Sequence, residues 1–180
     1  MPTRIVYDAE GWGVGELWLE GATGTVLWHE LPSPSIRDQV TTCYSELVER
    51  LRAYFAGEDV SFEDVPVDLE YATPFHESCA QALRAVPRGE VVTYGELAAL
   101  AGAPRAARAA GTFCARNRLP LFVPCHRVVA SGGLGAYPTL GVDYKRRLLE
   151  LELPSKRVMQ LTRSAGTGRE PRSSRRISDA

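Results

Sequence analysis

Apolar and polar residues run near period two in WGVGELWLEG and TGTVLWHEL, and GATG stands between them, a pattern that predicts a β-hairpin early in the chain. The Pro/Ser loop LPSPS follows. DQVTTCYSELVERLRAYFAG then sets Val40, Cys43, Leu47, Leu51 and Phe55 at helical spacing ahead of Gly57, which predicts an amphipathic helix. EDVSFEDVPVDLEYA is acidic and has Val on either side of Pro66, as an extended connector or edge strand would.

At Thr73 the period becomes helical again. Thr73-Pro74 reads as an N-cap and first helical position, with Phe75, Cys79, Leu83 and Val86 following up to the turn Pro87-Arg88-Gly89. Thr93-Tyr94-Gly95-Glu96 matches a capping box, Leu97 and Leu100 continue that helix, and Gly102 followed by Pro104 ends it and begins another. Two short helices across a Gly-containing turn form a helix-turn-helix candidate. The second, PRAARAAGTFCARN, has a smooth Ala/Gly surface bearing Arg105 and Arg108 at i, i+3; a solvated Ala-rich helix is the plain alternative. LPLFV and RVVA flank Pro124-Cys125-His126, a Gly-rich loop follows, and VDYKRRLLELE predicts a last helix. From about Val158 the chain has no hydrophobic period and is expected to be a disordered basic tail. No internal repeat is visible.

A chain of 180 residues with 44% hydrophobic and 24% charged positions has the composition of one ordinary globular domain or two small ones. No apolar run approaches the ~18 residues of a membrane span, and the first residues do not resemble a signal peptide, so the expectation is a cytoplasmic protein without membrane contact. The four cysteines, Cys43, Cys79, Cys114 and Cys125, include no C-x-x-C pair; free thiols and no metal site are expected. The formal charge of −1 hides two opposed halves: residues 1–73 carry net −10 and residues 74–180 net +9. Six Arg against two Glu over 84–118 place the positive charge around the helix pair, as a polyanion-binding surface would have it, although the same charge would also hold the acidic half.

Cys125 is the candidate for chemistry. A Cys-His pair alone is more often inert packing, but Pro124 fixes the backbone before the thiol and Arg127 adds positive charge beside it. VPCHRVV, the Gly-rich stretch to Tyr137 and KRRLLELE resemble the active-site region of the O6-alkylguanine-DNA alkyltransferase family, that of methylated-DNA–protein-cysteine S-methyltransferase. The similarity runs back through TPFHESCAQALRAVPRGEVVTYGELAALAGAPRAARAAGTFCARNRLP, covering roughly residues 73–153. It implies an α/β fold: an N-terminal ribonuclease-H-like sheet domain with its linker over 1–72, a C-terminal helical domain with a (winged) helix-turn-helix over 73–157, and the tail over 158–180.

The resemblance implies DNA repair by direct reversal, with alkyl transfer from O6-alkylguanine, and from O4-alkylthymine as a candidate second lesion, to Cys125. Each molecule would act once, without a cofactor. His126 would act as base through a water, oriented by Glu152; Asn117 would tie the turn to the active-site strand; Tyr94 would help rotate the target nucleotide and donate a proton towards the leaving oxygen. Arg108 would enter the base stack in place of the extruded guanine, with Arg105, Thr93, Ala109, Gly111 and Arg127 contacting double-stranded DNA in the minor groove. Tyr137, Val128 and Pro120 would line the substrate pocket, and the protein is expected to be a monomer.

One departure from the family pattern stands out: Tyr137-Pro138-Thr139-Leu140-Gly141 is a residue longer than the usual loop, in the stretch that lines the alkyl pocket. Two rivals remain at this level. A non-catalytic lesion-binding protein would recruit other repair factors but would lack the nucleophilic cysteine, and a Cys-His hydrolase would have no need of Arg108 on an Ala-rich helix.

Overall fold

Three strands, rather than the two of the expected hairpin, open the chain in the computed structural model, which describes residues 1–41, 45–138 and 140–163. β1 (Pro2–Ala9), β2 (Gly13–Glu20) and β3 (Val26–Ser33) form an antiparallel meander in that order. The centre of β1, Ile5-Val6-Tyr7, is buried at three successive positions, so the alternation that marks a half-buried strand is absent. Thr41 closes its edge: its N–H donates to Val6 O (2.8 Å) and its hydroxyl accepts from Val6 N–H (3.0 Å).

That pairing also corrects the first helix. Because the chain is still bonded to β1 at Thr41, α1 spans only Glu46–Phe55, burying Val48, Leu51, Tyr54 and Phe55, while Val40 is exposed. Cys43 lies outside the described residues. The acidic connector is extended only about Val67, which bridges Val26 in parallel, and turns at Phe62–Val65 and Leu69–Ala72; it belongs to the core, with Phe62 and Val65 buried.

The second half follows its local capping signals. α2 (Pro74–Arg84) starts where the Thr73 hydroxyl accepts from His76 N–H (3.3 Å). β4 (Val92–Thr93) leads into α3 (Tyr94–Leu100), whose capping box is complete: the Thr93 hydroxyl accepts from Glu96 N–H (3.2 Å) and the Glu96 carboxylate from Thr93 N–H (2.6 Å). Gly102, at φ +83°, makes the turn to α4 (Ala107–Ala115). α4 starts three residues after Pro104, so Arg105 sits in the turn and not on one helix face with Arg108. A 3-10 turn at Cys125–Arg127 runs into β5 (Val128–Val129), parallel to β4, and α5 (Gly141–Glu152) follows.

The tail expected from Val158 begins as helix. α6 covers Ser155–Arg163, and Val158 is buried with Leu149 and Leu153, because Val158 and Leu161 on one helical face are enough to dock against the end of α5. Residues 164–180 lie outside the described residues. The result is an α/β protein with small sheets and, among the described residues, six α-helices; one hydrophobic cluster joins its halves, containing Leu17, Leu51, Leu83, Leu97, Phe122 and Leu148. Among the described residues no helix is long and apolar enough to cross a membrane.

His29 of β3 bolts the sheet to the loop ahead of the 3-10 turn. Its N–H donates to Arg118 O (3.0 Å), its Nδ1 donates to Pro120 O (2.6 Å), and its Nε2 accepts from the Tyr7 hydroxyl (2.7 Å). Tyr7 reaches it by lying over Gly15, where a Cβ would stand 2.7 Å from the ring. Burial lowers the His29 pKa from 6.5 to about 4. The unfolded chain therefore takes up the proton first, and the stability contributed by neutral His29 is present above pH 6.5 and lost as pH falls towards 4, about 3 kcal/mol in all. We expect His29→Asn to flatten the fall in the thermal unfolding midpoint between pH 6.5 and 4; parallel curves for parent and variant would refute the assignment.

Candidate active site

The loop between α4 and the 3-10 turn is organised by Asn117. Its side-chain amide donates to Val123 O (2.8 Å) and to Cys125 Sγ (3.1 Å), and its oxygen accepts from Leu119 N–H (3.0 Å). Leu121 within the loop has φ +72°, a left-handed conformation costing a non-glycine residue about 1 kcal/mol, which these bonds and His29 hold in place. Cys125 is 6% exposed at the start of the 3-10 turn. Asn117 thus joins the end of α4 to this loop and to the sulfur; these three bonds stop short of the strand β5.

His126 is fully buried, and its Nε2 lies 2.9 Å from Glu152 Oε1. The same carboxylate accepts from the Tyr54 hydroxyl (2.6 Å) and from Arg127 through Nε (2.9 Å) and Nη2 (3.0 Å). With so many donors the Glu152 carboxyl stays ionised well below the usual carboxylate range despite burial. Burial, helped by the charges of Arg127 and Lys145, pushes His126 below an ordinary histidine against the pull of Glu152. The neutral ring therefore carries its proton on Nε2, leaving Nδ1 as an acceptor; Nδ1 is buried and has no hydrogen-bond partner among the described residues.

Arg127, expected on the DNA surface, is a correction. Its side chain is 11% exposed and clamps Glu152 from one side and Val86 O (2.7 Å) from the other, so its charge is spent inside the protein. The cation that acts on the thiol is Lys145 of α5, which nothing in the sequence pattern distinguishes from its charged neighbours. It is fully buried, donates to Val128 O (2.6 Å) and Ala136 O (3.3 Å), and has its pKa lowered to about 8 by desolvation. Burial pushes the Cys125 thiol up, with Asn117 and Lys145 opposing it, so the resting group is a thiol that needs a base.

Tyr94, at the start of α3, is half-buried near Cys114 and Cys125, and its ring centre lies 6.0 Å from Lys145 Nζ. Gly135, at φ +72°, passes so close that a Cβ there would stand 3.0 Å from the Tyr94 hydroxyl. A cavity of about 590 Å³ opens onto Cys125, walled by Asn117, Cys114, Pro120, Tyr137, Pro138 and Leu140 and reaching Trp28 and Tyr71 on the other half. Of the residues expected at the substrate pocket, Pro120 and Tyr137 line this cavity. Val128 does not line the cavity: it is core, and only its carbonyl serves the site. Arg105 and Arg108 are exposed, Thr93, Ala109 and Gly111 are half-buried, and Gly111 leaves room beside the Tyr94 ring. No cluster among the described residues has the makings of a metal site.

A family model described as "6-O-methylguanine DNA methyltransferase, DNA binding domain" matches residues 74–154. A methylated-DNA–protein-cysteine methyltransferase from Methanopyrus kandleri is 47% identical over 109 residues, 59% of this chain and 80% of that protein. The chain belongs to the O6-methylguanine-DNA methyltransferase family. A second relative of that name, from Mycobacterium tuberculosis, is 48% identical over 110 residues, 61% of this chain and 65% of its own length. Among solved structures, the R37K variant of Mycobacterium tuberculosis OGT superposes with a TM-score of 0.70 at 34% identity, covering 86% of this chain and 96% of that one. The same organism's OGT in complex with DNA gives 0.68 at 36%, covering 87% and 98%. The methyltransferase match to 74–154 contains Asn117, Cys125, His126, Lys145 and Glu152 but not Tyr54, which comes from the half with the acidic charge.

Proposed function

We propose that the protein repairs DNA by direct reversal, moving a methyl or larger alkyl group from O6-alkylguanine, with O4-alkylthymine as a second lesion, onto its own Cys125. The observation that carries this reading is the buried thiol 3.1 Å from the Asn117 amide, next to a histidine whose tautomer is fixed by Glu152. His126 Nδ1 takes the thiol proton through an intervening water, and the sulfur attacks the alkyl carbon in line. The S–C bond forms as the C–O bond breaks, and its electron pair leaves on guanine, which receives a proton from the side of Tyr94. A thioether has no route back to the thiol, so each molecule acts once and needs no cofactor.

In-line attack requires a base outside the stack. We assign α3 and α4 as a helix-turn-helix laid on the minor groove of double-stranded DNA, where Ala109 and Gly111 let the backbone approach, Thr93 and Arg105 meet phosphates and Arg108 fills the place of the extruded guanine. Residues 73–157 are read as this DNA-binding unit, possessing a winged form of the motif, and 1–72 as a ribonuclease-H-like unit, in a protein that acts as a monomer in the cytoplasm.

The test is made on the DNA. A duplex with one O6-methylguanine, digested to nucleosides after incubation, should show guanine restored in an amount equal to the protein and no more. A lesion that persists in excess protein, or repair that continues past one per chain, would refute the reading.

A further inference from the structure

Tyr54 stands on α1, in the half outside the family's DNA-binding match, yet its hydroxyl lies within the Glu152–His126 pair: 2.6 Å from Glu152 Oε1 and 3.3 Å from His126 Nε2. Its ring is 1% exposed, and the Arg88 guanidinium lies 5.4 Å from the ring centre. We propose that Tyr54 is a positioning residue for alkyl transfer, its hydroxyl holding the Glu152 carboxylate so that His126 keeps its proton on Nε2 and presents Nδ1 towards the thiol. The N-terminal half then supplies part of the relay and not merely a scaffold. The proposal rests on the reading of Cys125 as the alkyl acceptor.

The packing of α1 does not ask for this hydroxyl. Val48, Leu51 and Phe55 bury the same helix face with no polar atom, and a phenylalanine at 54 would fill the same space. What the hydroxyl adds is a third donor on Oε1, beside His126 Nε2 and Arg127 Nη2, while Oε2 accepts from Arg127 Nε. Each donor lowers the basicity of the carboxylate, and a less basic carboxylate draws less on His126. The charged and titratable groups around His126 are Glu152 and Lys145 from α5, Arg127 and Cys125 beside it in the chain, and Tyr54 from α1, with Arg88 behind the Tyr54 ring. Losing the Tyr54 donor leaves Glu152 more basic, so the imidazolium is favoured and the base is lost at a higher pH.

The experiment uses the full chain with Tyr54→Phe. NMR titration of the His126 ring should show protonation at higher pH than in the parent. The rate of methyl transfer to Cys125 at pH 7 should fall about tenfold, with its acid limb displaced upward to match, while affinity for the methylated duplex stays at the parent value. Incorporation of 3-fluorotyrosine at 54, which keeps the hydroxyl and donates more strongly, should restore the rate and move His126 protonation below the parent's pH. A Tyr54→Phe protein with the parent's His126 titration overturns the proposal, whether its rate is unchanged or lowered, since a merely structural role slows transfer without moving the titration. If Tyr54→Phe does not fold, the fluorotyrosine protein decides: an unmoved His126 titration overturns the proposal. If the parent transfers no methyl group, the reading of Cys125 falls and this role for Tyr54 falls with it, whereas a parent that transfers and a Tyr54→Phe protein with an unmoved His126 titration overturn the proposal alone.

Discussion

Glu152→Gln is expected to destabilise the protein by about 3–5 kcal/mol and to slow methyl transfer at least 100-fold. The Glu152 side chain is fully buried and accepts from Tyr54, His126 and Arg127, all of them donors. An amide keeps the shape but turns one acceptor into a donor, and the Arg127 guanidinium, 11% exposed, loses its counter-charge. His126 then faces a neutral amide in place of a carboxylate, so its proton is held on Nε2 less firmly and Nδ1 becomes a weaker base. The stability at stake has a defined pH window: a carboxyl held far below its ordinary 4.5 contributes fully above that value, and its share is lost as pH falls through the lower folded value. Denaturant unfolding at pH 7 and pH 3 with a single-turnover rate at pH 7 checks both effects. A variant as stable as the parent at pH 7 would mean that the carboxylate network is not what holds α5 to the active-site turn.

The parts of this site that were legible in the sequence are those whose partners are near in the chain. Thr73 and Thr93 announce their helices because cap and capped residue lie within three positions. Asn117, Cys125 and His126 sit in one short stretch, and its similarity to a known family marks all three as candidates. Glu152 needed that similarity, since nothing local pairs it with His126. Tyr54 and His29 left no signal: their partners stand 98 and 91 positions away, and each looks like an ordinary aromatic in its own element. Lys145 sits in KRRLLELE among charged residues, where a buried lysine cannot be told from a solvated one; its partner Val128 is 17 positions back. Arg127 shows the opposite limit. Read alone beside a basic helix pair it belongs on DNA, but the acceptors that use its charge, Glu152 and Val86 O, come from distant elements.

The same physics separates the elements that were legible from those that were not. β1 lacks alternation because Ile5, Val6 and Tyr7 are all covered, and α6 was masked by its charges because its apolar contact with the cluster is made by Val158 and Leu161. The cavity, which extends from Cys125 to Trp28 and Tyr71 across the two halves, is a property of their docking that neither segment carries alone.

The central claim is that Cys125 itself takes the alkyl group. The most direct measurement is the mass of the peptide containing Cys125 after the protein has met a duplex bearing a single O6-methylguanine. The expected result is one added methyl group on that peptide, on Cys125 by fragmentation, none on the peptides of Cys79 or Cys114, and none at all in Cys125→Ser, whose transfer is abolished. A protein that binds and shields the lesion while every peptide keeps its mass would contradict the account and leave a lesion-binding protein in its place.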